Sequence, residues 1–282
     1  MNQGTAILGS RGFLRVCGPD ARAWLQGLLT NDVETLGPQE ARFAALLSPQ
    51  GKILFDAFVI PDGDGLLLDC AADIAGALAK RLALYRLRAR VEIADLSASL
   101  MALAIWGREP PAAAQGRIYP DPRDPALGWR IAAPPAELGA FEDDGEAAYE
   151  AHRIACGAPR GGLDFVWGDA FPHEANMDRL HGLDFRKGCY VGQEVVSRVE
   201  HRGLARKRVV RVRIAGAPPP PGAEVFAGET AIGAMGSSAD GLGLALLRLD
   251  RAEEARAAGE ALRAGEAALA LIEAPAAERE TT

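Results

Sequence analysis

Apolar residues along this chain change period several times, and the changes mark its elements. After the strand candidate GFLRVCG, the segment GPDARAWLQGLLTND sets Trp24, Leu25, Leu28 and Leu29 at helical spacing, with Asp20 as cap and Asn31-Asp32 as stop. The runs ARFAALL, KILFDAFVI and GLLLDC follow, separated by the turn formers SPQG and PDGDG, which predicts an antiparallel meander. Residues 72–84 return to helical spacing, RARVEIADL and LMALAIW predict further strands, and the Pro-rich stretch from Glu109 to Pro135 reads mostly as connection. The fold class expected from this is α+β, antiparallel sheets with covering helices.

Residues 145–156 predict another helix, stopped by Gly157 and Pro159. The long segment GGLDFVWGDAFPHEANMDRLHGLDFRKG has no clear period, and such stretches inside a compact domain are uncommon unless functional. It runs into CYVGQEVVSRVEHRG, where Val195, Val196 and Val199 form an apolar side, Glu194 and Arg198 are spaced to pair, and Gly203 closes the helix. From Lys207 the texture becomes short apolar strands broken by Pro and Gly, the pattern of a small β-barrel or sandwich. Two domains are expected, 1–204 and 205–282, with APAAERETT as a frayed tail.

Composition adds constraints. Over 282 residues, 49% are hydrophobic and 24% charged, the profile of a folded chain. The net charge of −7 argues against strong nucleic-acid binding. No stretch avoids charge for the roughly 18 residues a spanning helix needs, and Arg11 and Arg15 stand where a signal peptide needs an apolar core. A cytoplasmic chain with no membrane partner is expected. Cys17, Cys70, Cys156 and Cys189 lie 53, 86 and 33 positions apart, so no ligand spacing for a permanent metal exists, and a reducing compartment leaves all four thiols free.

Cys189 is the leading chemical candidate. It follows Lys187 and Gly188 and is read at the start of a helix, where unpaired N–H groups and a nearby cation favour a thiolate. The alternative is a buried thiol acting as a small hydrophobe, the reading kept for the other three. His173, His181 and His201 are near enough in sequence to act as bases for a cysteine hydrolase, or are ordinary histidines. Arg186–Arg213 holds nine Lys or Arg against Glu194 and Glu200, and Lys80–Arg90 holds five with no acid. These stretches bind an anionic tail or are solvated faces.

KGCYVGQE (Lys187 to Glu194), followed by Arg198 and His201-Arg202-Gly203, closely resembles the defining motif of YgfZ-type folate-binding proteins, relatives of the glycine cleavage T-protein that support iron–sulfur cluster assembly. DARAWLQGLLTNDV, LLSPQGKILFDAFV, KRLALYRLRARV and PHEANMD resemble further family segments in the expected order, nearest to the branch of the mitochondrial assembly factor. The resemblance implies an aminomethyltransferase-like folate-binding domain followed by a carboxy-terminal β-barrel. It further implies tetrahydrofolate or a derivative as cofactor, and iron–sulfur client proteins and assembly machinery as partners. The clients include [4Fe–4S] enzymes that modify tRNA. The functional cysteine of the family carries onto Cys189, with Lys187, Tyr190, Gln193, Glu194 and Arg198 as its motif neighbours and Gly188 and Gly192 on the cofactor side. Gln26, Asn31, Asp32, Tyr85 and Glu174 are candidate pteridine-lining residues. The T-protein has an aspartate at Cys189, two adjacent acids at Phe55-Asp56 and a glutamate at Ala155. The expected role is therefore an accessory protein, with a tetrahydrofolate-dependent aminomethyl or one-carbon transferase as the alternative.

Overall fold

A computed structural model describes residues 3–202 and 205–272, so Gly203 and the tail APAAERETT lie outside the described residues. The chain divides into two compact units, Met1–Tyr149 with Leu180–Gln193, and Glu150–Arg179 with Glu194–Thr282.

The first unit contains two antiparallel sheets. Its elements are β1 (Gly4–Leu8), β2 (Arg11–Cys17), α1 (Ala21–Gln26), β3 (Arg42–Leu47), β4 (Ile53–Asp62), β5 (Gly65–Ala71), α2 (Ala72–Tyr85), β6 (Glu92–Asp95), β7 (Met101–Trp106), β8 (Arg117–Pro120), β9 (Trp129–Ala133) and α3 (Pro135–Leu138). One sheet has the order β3-β4-β5-β2-β6 and the other β1-β7-β9-β8. The meander read from alternating runs is β3-β4-β5. Its core face carries Leu46, Val59 and Leu68, and α2 covers it with Ala75, Leu78 and Leu82, one stripe at helical spacing. Each fully buried leucine there contributes roughly 1.5–3 kcal/mol.

Three expectations change. α1 ends at Gln26, before Leu28 and Leu29, because the next residues pair with a strand: Thr30 exchanges backbone and hydroxyl hydrogen bonds with Ala45, and Leu29 bridges Leu46. Asp20 makes no side-chain cap and instead pairs with Arg90. The Pro-rich stretch read as connection contains β8 and β9, joined through a short 3₁₀ turn at Pro125–Leu127 capped by Asp124. Proline and glycine density hid the two short strands.

A buried ionic network spans both sheets. Asp69 on β5 accepts from Arg11 on β2, from Arg130 on β9 and from the Tyr119 hydroxyl on β8, while Asp121 pairs with Arg123 and Arg130. The Tyr149 hydroxyl bonds Arg123 and Arg130, and the three guanidiniums surround the Phe58 ring at 4.5 to 5.3 Å. Burial opposes charge on Asp121, but Arg123 and Arg130 outweigh it and hold the carboxyl well below its usual range.

The second unit takes most of α4 (Glu146–Cys156) and of α5 (Gln193–Arg202), with β10 (Lys207–Ala215), β11 (Glu224–Ala227), β12 (Thr230–Ala239), β13 (Leu242–Arg248), α6 (Leu249–Ala258), β14 (Leu262–Ala264) and β15 (Ala267–Leu271). Six strands close a barrel in the order β10-β13-β12-β11-β14-β15 around Val212, Val225, Ile232, Leu247 and Leu269, which resolves the barrel-or-sandwich alternative. The first barrel strand begins at Lys207. The compact unit itself reaches back to Glu150, because α4 and the following loop are fastened to the barrel through Arg153. Its buried guanidinium bonds Glu150, Asp164, the Ala158 carbonyl and the Ser237 hydroxyl on β12, and Asp164 also accepts the Ser237 N–H. Gly236 leaves room for this: a Cβ there would stand 2.4 Å from Asp164 Oδ1.

Removing Asp164 leaves Arg153 with Glu150 as its carboxylate partner and takes the acceptor from the buried Ser237 N–H, so Asp164→Ala is expected to destabilise the protein by about 2–3 kcal/mol, read from chemical denaturation.

Candidate functional site

The irregular segment before the motif is irregular because its hydrogen bonds go to another part of the chain. Asn31 Nδ2 donates to the His181 carbonyl at 2.6 Å and to Phe43 O, the Thr30 hydroxyl donates to Gly182 O at 2.7 Å, and the Asp184 N–H returns to Thr30 O. The Asp184 carboxylate then accepts the Arg186 and Lys187 N–H groups, turning the chain. Lys187 completes the seam: Nζ donates to the carbonyls of Gln26, Leu29 and Asn31 at 2.6 to 2.8 Å, and lies 5.3 Å from the Tyr190 ring centre. Burial pushes its ammonium down to about 8 against the opposing pull of Asp32, Asp184 and Glu34, so it stays charged at neutral pH.

The other end of the motif is fixed by close approach. Gly192 has φ +83, and a Cβ there would stand 2.6 Å from Ser48 O in the turn between β3 and β4. Tyr190 is buried, which pushes its phenol up to about 12, and Val191 packs on the core under α2. Between these fixed points Gly188 has open space around it and Cys189 is exposed. The helix expected at Cys189 begins four residues later, at Gln193, whose N–H donates to Tyr190 O. Neither influence expected on the thiol is therefore present as read: the helix start is displaced, and Lys187 is committed to carbonyls. Glu194 and Arg198 pair on the exposed side of α5 at 2.8 Å, as their spacing predicts. The remaining thiols are less accessible; Cys70 is buried, which pushes it up to about 12, and Cys17 and Cys156 are half-buried.

The residues proposed to line a pteridine site have other occupations. Asn31 is spent on the seam, and Gln26 Oε1 accepts the Val33 N–H. Burial would raise the Asp32 carboxyl, but the Thr35 hydroxyl and the Glu34 and Thr35 amides hold it below its ordinary value. Tyr85 packs on the core and accepts the Trp24 indole N–H at its carbonyl, and Glu174 belongs to the second unit, where it caps the Phe171 N–H. Asp56, which the sequence comparison counts only as a departure from the acid pair of the T-protein, has a site of its own. It is half-buried in a slot walled by Leu29, Phe55, Leu78 and Leu82, with no hydrogen bond among the described residues, and burial pushes it up to about 6 although Arg11, Arg123 and Arg130 pull it down. The enclosed space is about 10 Å³, room for one water molecule. The signal was an acid in the middle of an apolar strand.

In the second unit His173 is buried and its Nε2 meets Glu200 on α5 at 2.9 Å, so the histidine of the HEAN segment ties a helix down. Ligand atoms of His173, Asp178 and Glu200 lie within 4.8 Å of one another, but Arg208 holds Asp178 with two bonds of 2.7 and 2.8 Å and opposes a cation there. Among the described residues no histidine bonds Cys189, which removes support for a cysteine hydrolase.

Comparison with known proteins agrees with both halves of the fold. Residues 9–115 match the GCVT N-terminal domain and 206–278 the CAF17 C-terminal beta-barrel domain. The glycine cleavage system aminomethyltransferase T of Bartonella henselae superposes with a TM-score of 0.75 over 96% of this chain and 85% of its own, at 18% identity, a likeness of fold alone. The mitochondrial iron-sulfur cluster assembly factor IBA57 of Homo sapiens is 35% identical, with 85% of this chain and 76% of that protein aligned. The IBA57 homolog of Mycosarcoma maydis is 37% identical over 74% of this chain, which spans only 57% of that protein's length; for the Neurospora crassa homolog the share is 53%. These relatives are named as mitochondrial, which overturns the expected cytoplasmic location. Within the wider YgfZ-type resemblance they single out the branch of the mitochondrial assembly factor, and not YgfZ itself: the chain belongs to the IBA57 family of iron–sulfur cluster assembly factors.

Proposed function

We propose that this chain serves iron–sulfur cluster assembly by presenting the Cys189 thiol to an iron–sulfur cargo or to the partner that carries it. The carrying observation is an exposed thiol on a short arch whose two ends are fixed, by Lys187 on three carbonyls and by Gly192 against the β3–β4 turn. On meeting iron the thiol gives up its proton and its sulfur becomes a ligand; one such ligand suits transient contact rather than permanent storage. Lys187 and Gly192 are positioning residues in this reading, and Tyr190 carries the ammonium on its face. The clients are [4Fe–4S] enzymes, tRNA-modifying ones among them, as the resemblance implies.

Folate is the finer part of the proposal. Its support is the likeness of fold to a folate-using family and the chemistry of the Asp56 slot, where a carboxylate without a hydrogen bond stands among apolar walls and suits the N–H edge of a pteridine. Leu29, Phe55 and Asp56 would hold that ring. With room for only one water in the slot, the ring would have to widen it.

Cells lacking the protein should recover [4Fe–4S] enzyme activity with the wild-type chain and fail to recover it with Cys189→Ser, at equal protein level and unchanged melting temperature. Lys187→Met should reduce recovery at least severalfold while leaving the thiol in place, and full recovery by Cys189→Ser would sink the proposal. Calorimetric titration with tetrahydrofolate should detect binding that Asp56→Asn weakens about tenfold or more; a wild-type chain that takes up no heat removes the folate half alone. Asp56 also has a signature without ligand. Its folded pKa lies above its unfolded one, so the folded state binds the extra proton between about pH 4 and 6 and wild-type stability falls across that window. Asp56→Asn should remove the fall, gaining about 1–2 kcal/mol at pH 7 and little at pH 4.

A further inference from the structure

The end of α2 and the residues after it carry side chains that neither the fold nor the cysteine arch uses. From Ile74 to Val91 there is no acid, while Lys80, Arg81, Arg86, Arg88 and Arg90 supply five cations. Arg90 is paired with Asp20; the other four are exposed, and among the described residues no carboxylate pairs with them. Set between them, Leu84 is 71% exposed and Leu87 90%. Leu87 also has φ +43, a left-handed backbone that is strained for a residue with a branched side chain. The strained turn therefore ends with a leucine held out in water, where an isolated chain gains nothing from it. At the base of this tip Trp24 and Tyr85 are half-buried, joined by the 3.0 Å bond from Trp24 Nε1 to Tyr85 O.

We propose that this tip is a peripheral docking point for an anionic lipid surface, an inference independent of the assembly role. The layers are those of a chain element that crosses the edge of a bilayer: two leucines for the acyl boundary, a tryptophan and a tyrosine at headgroup level, and a ring of uncommitted cations for phosphates. Apolar insertion and basic charge supply the two signals that stable surface attachment requires. A protein partner fits less well. It needs fixed carboxylates opposite fixed cations, and four long side chains without intramolecular bonds are not preorganised for that, whereas lipid headgroups adjust to them. The net charge of −7 does not oppose the contact, because acids farther away than about 8 Å are screened at physiological ionic strength. No helix among the described residues is long and apolar enough to cross a membrane, so the contact is with the surface.

The test is co-sedimentation of the full chain with vesicles of phosphatidylcholine, with and without phosphatidylglycerol. Binding should require phosphatidylglycerol and weaken as salt rises. The double variant L84S/L87S should lose about tenfold in vesicle affinity with an unchanged melting temperature. R81E/R86E/R88E should abolish binding, and Val166→Ser, at an exposed apolar residue of the second unit, should leave it unchanged. A benzophenone amino acid replacing Leu87 should crosslink to lipid. The proposal is overturned if the chain stays in solution with anionic vesicles at low salt, if L84S/L87S binds like the wild type, or if position 87 crosslinks in cells to a protein instead.

Discussion

Two carboxylates inside the first unit, Asp69 and Asp121, hold three guanidiniums, and the mutual placement of its two sheets depends on them. Burying such a network costs desolvation that hydrogen bonds must offset, and here nearly every donor has an oxygen or a ring face. Three positive charges against two negative ones leave the interior one positive charge over. Asp56, ionised at neutral pH, faces that surplus from the slot under α2. Its environment is thus set by residues on four other strands and their connecting turns, which explains why a single acid in an apolar strand keeps its charge at all.

The motif residues divide their labour differently from what their types imply. Lys187, beside the thiol in sequence, is bound elsewhere, and Asn31, an apparent ligand-binding amide, is a fastener between two chain segments more than a hundred residues apart. Their polarity serves geometry. Segment 181–187 contains no helix or strand to satisfy its backbone, so side chains from 30–31 and 184 provide the partners that secondary structure would otherwise supply. The exposed thiol is what remains after these obligations are met.

Much of the architecture was legible because it rests on local pattern. The meander, α2, the helix at 146–156 and five of the six barrel strands follow from apolar period and turn residues, while β14 and α6 do not. What escaped was non-local. β8 and β9 are short, rich in neighbouring proline and glycine, and exist because they pair with β7 and with each other. The early end of α1 is decided by Thr30 finding Ala45, a contact no local propensity encodes. The KGCYVGQE motif is contiguous in the sequence, yet the occupations of Gln26, Asn31 and Asp32 could be read only once residues 181–187 lay beside them. Asp56 stands in the sequence only as half of a lost acid pair, since its own chemistry comes from burial rather than from its neighbours in sequence.

The seam that holds the cysteine arch has a kinetic consequence. Because Lys187, Asn31 and Gly192 order the loop during folding, a cargo that met the thiol in the proposed role would find backbone freedom already lost, and binding would not lose that entropy again. A single, uncluttered sulfur on such a support gives little enthalpy to hold what it touches. Ready contact combined with weak retention would suit the proposed role to a relay, and a second ligand added on the same arch would turn that relay into a trap.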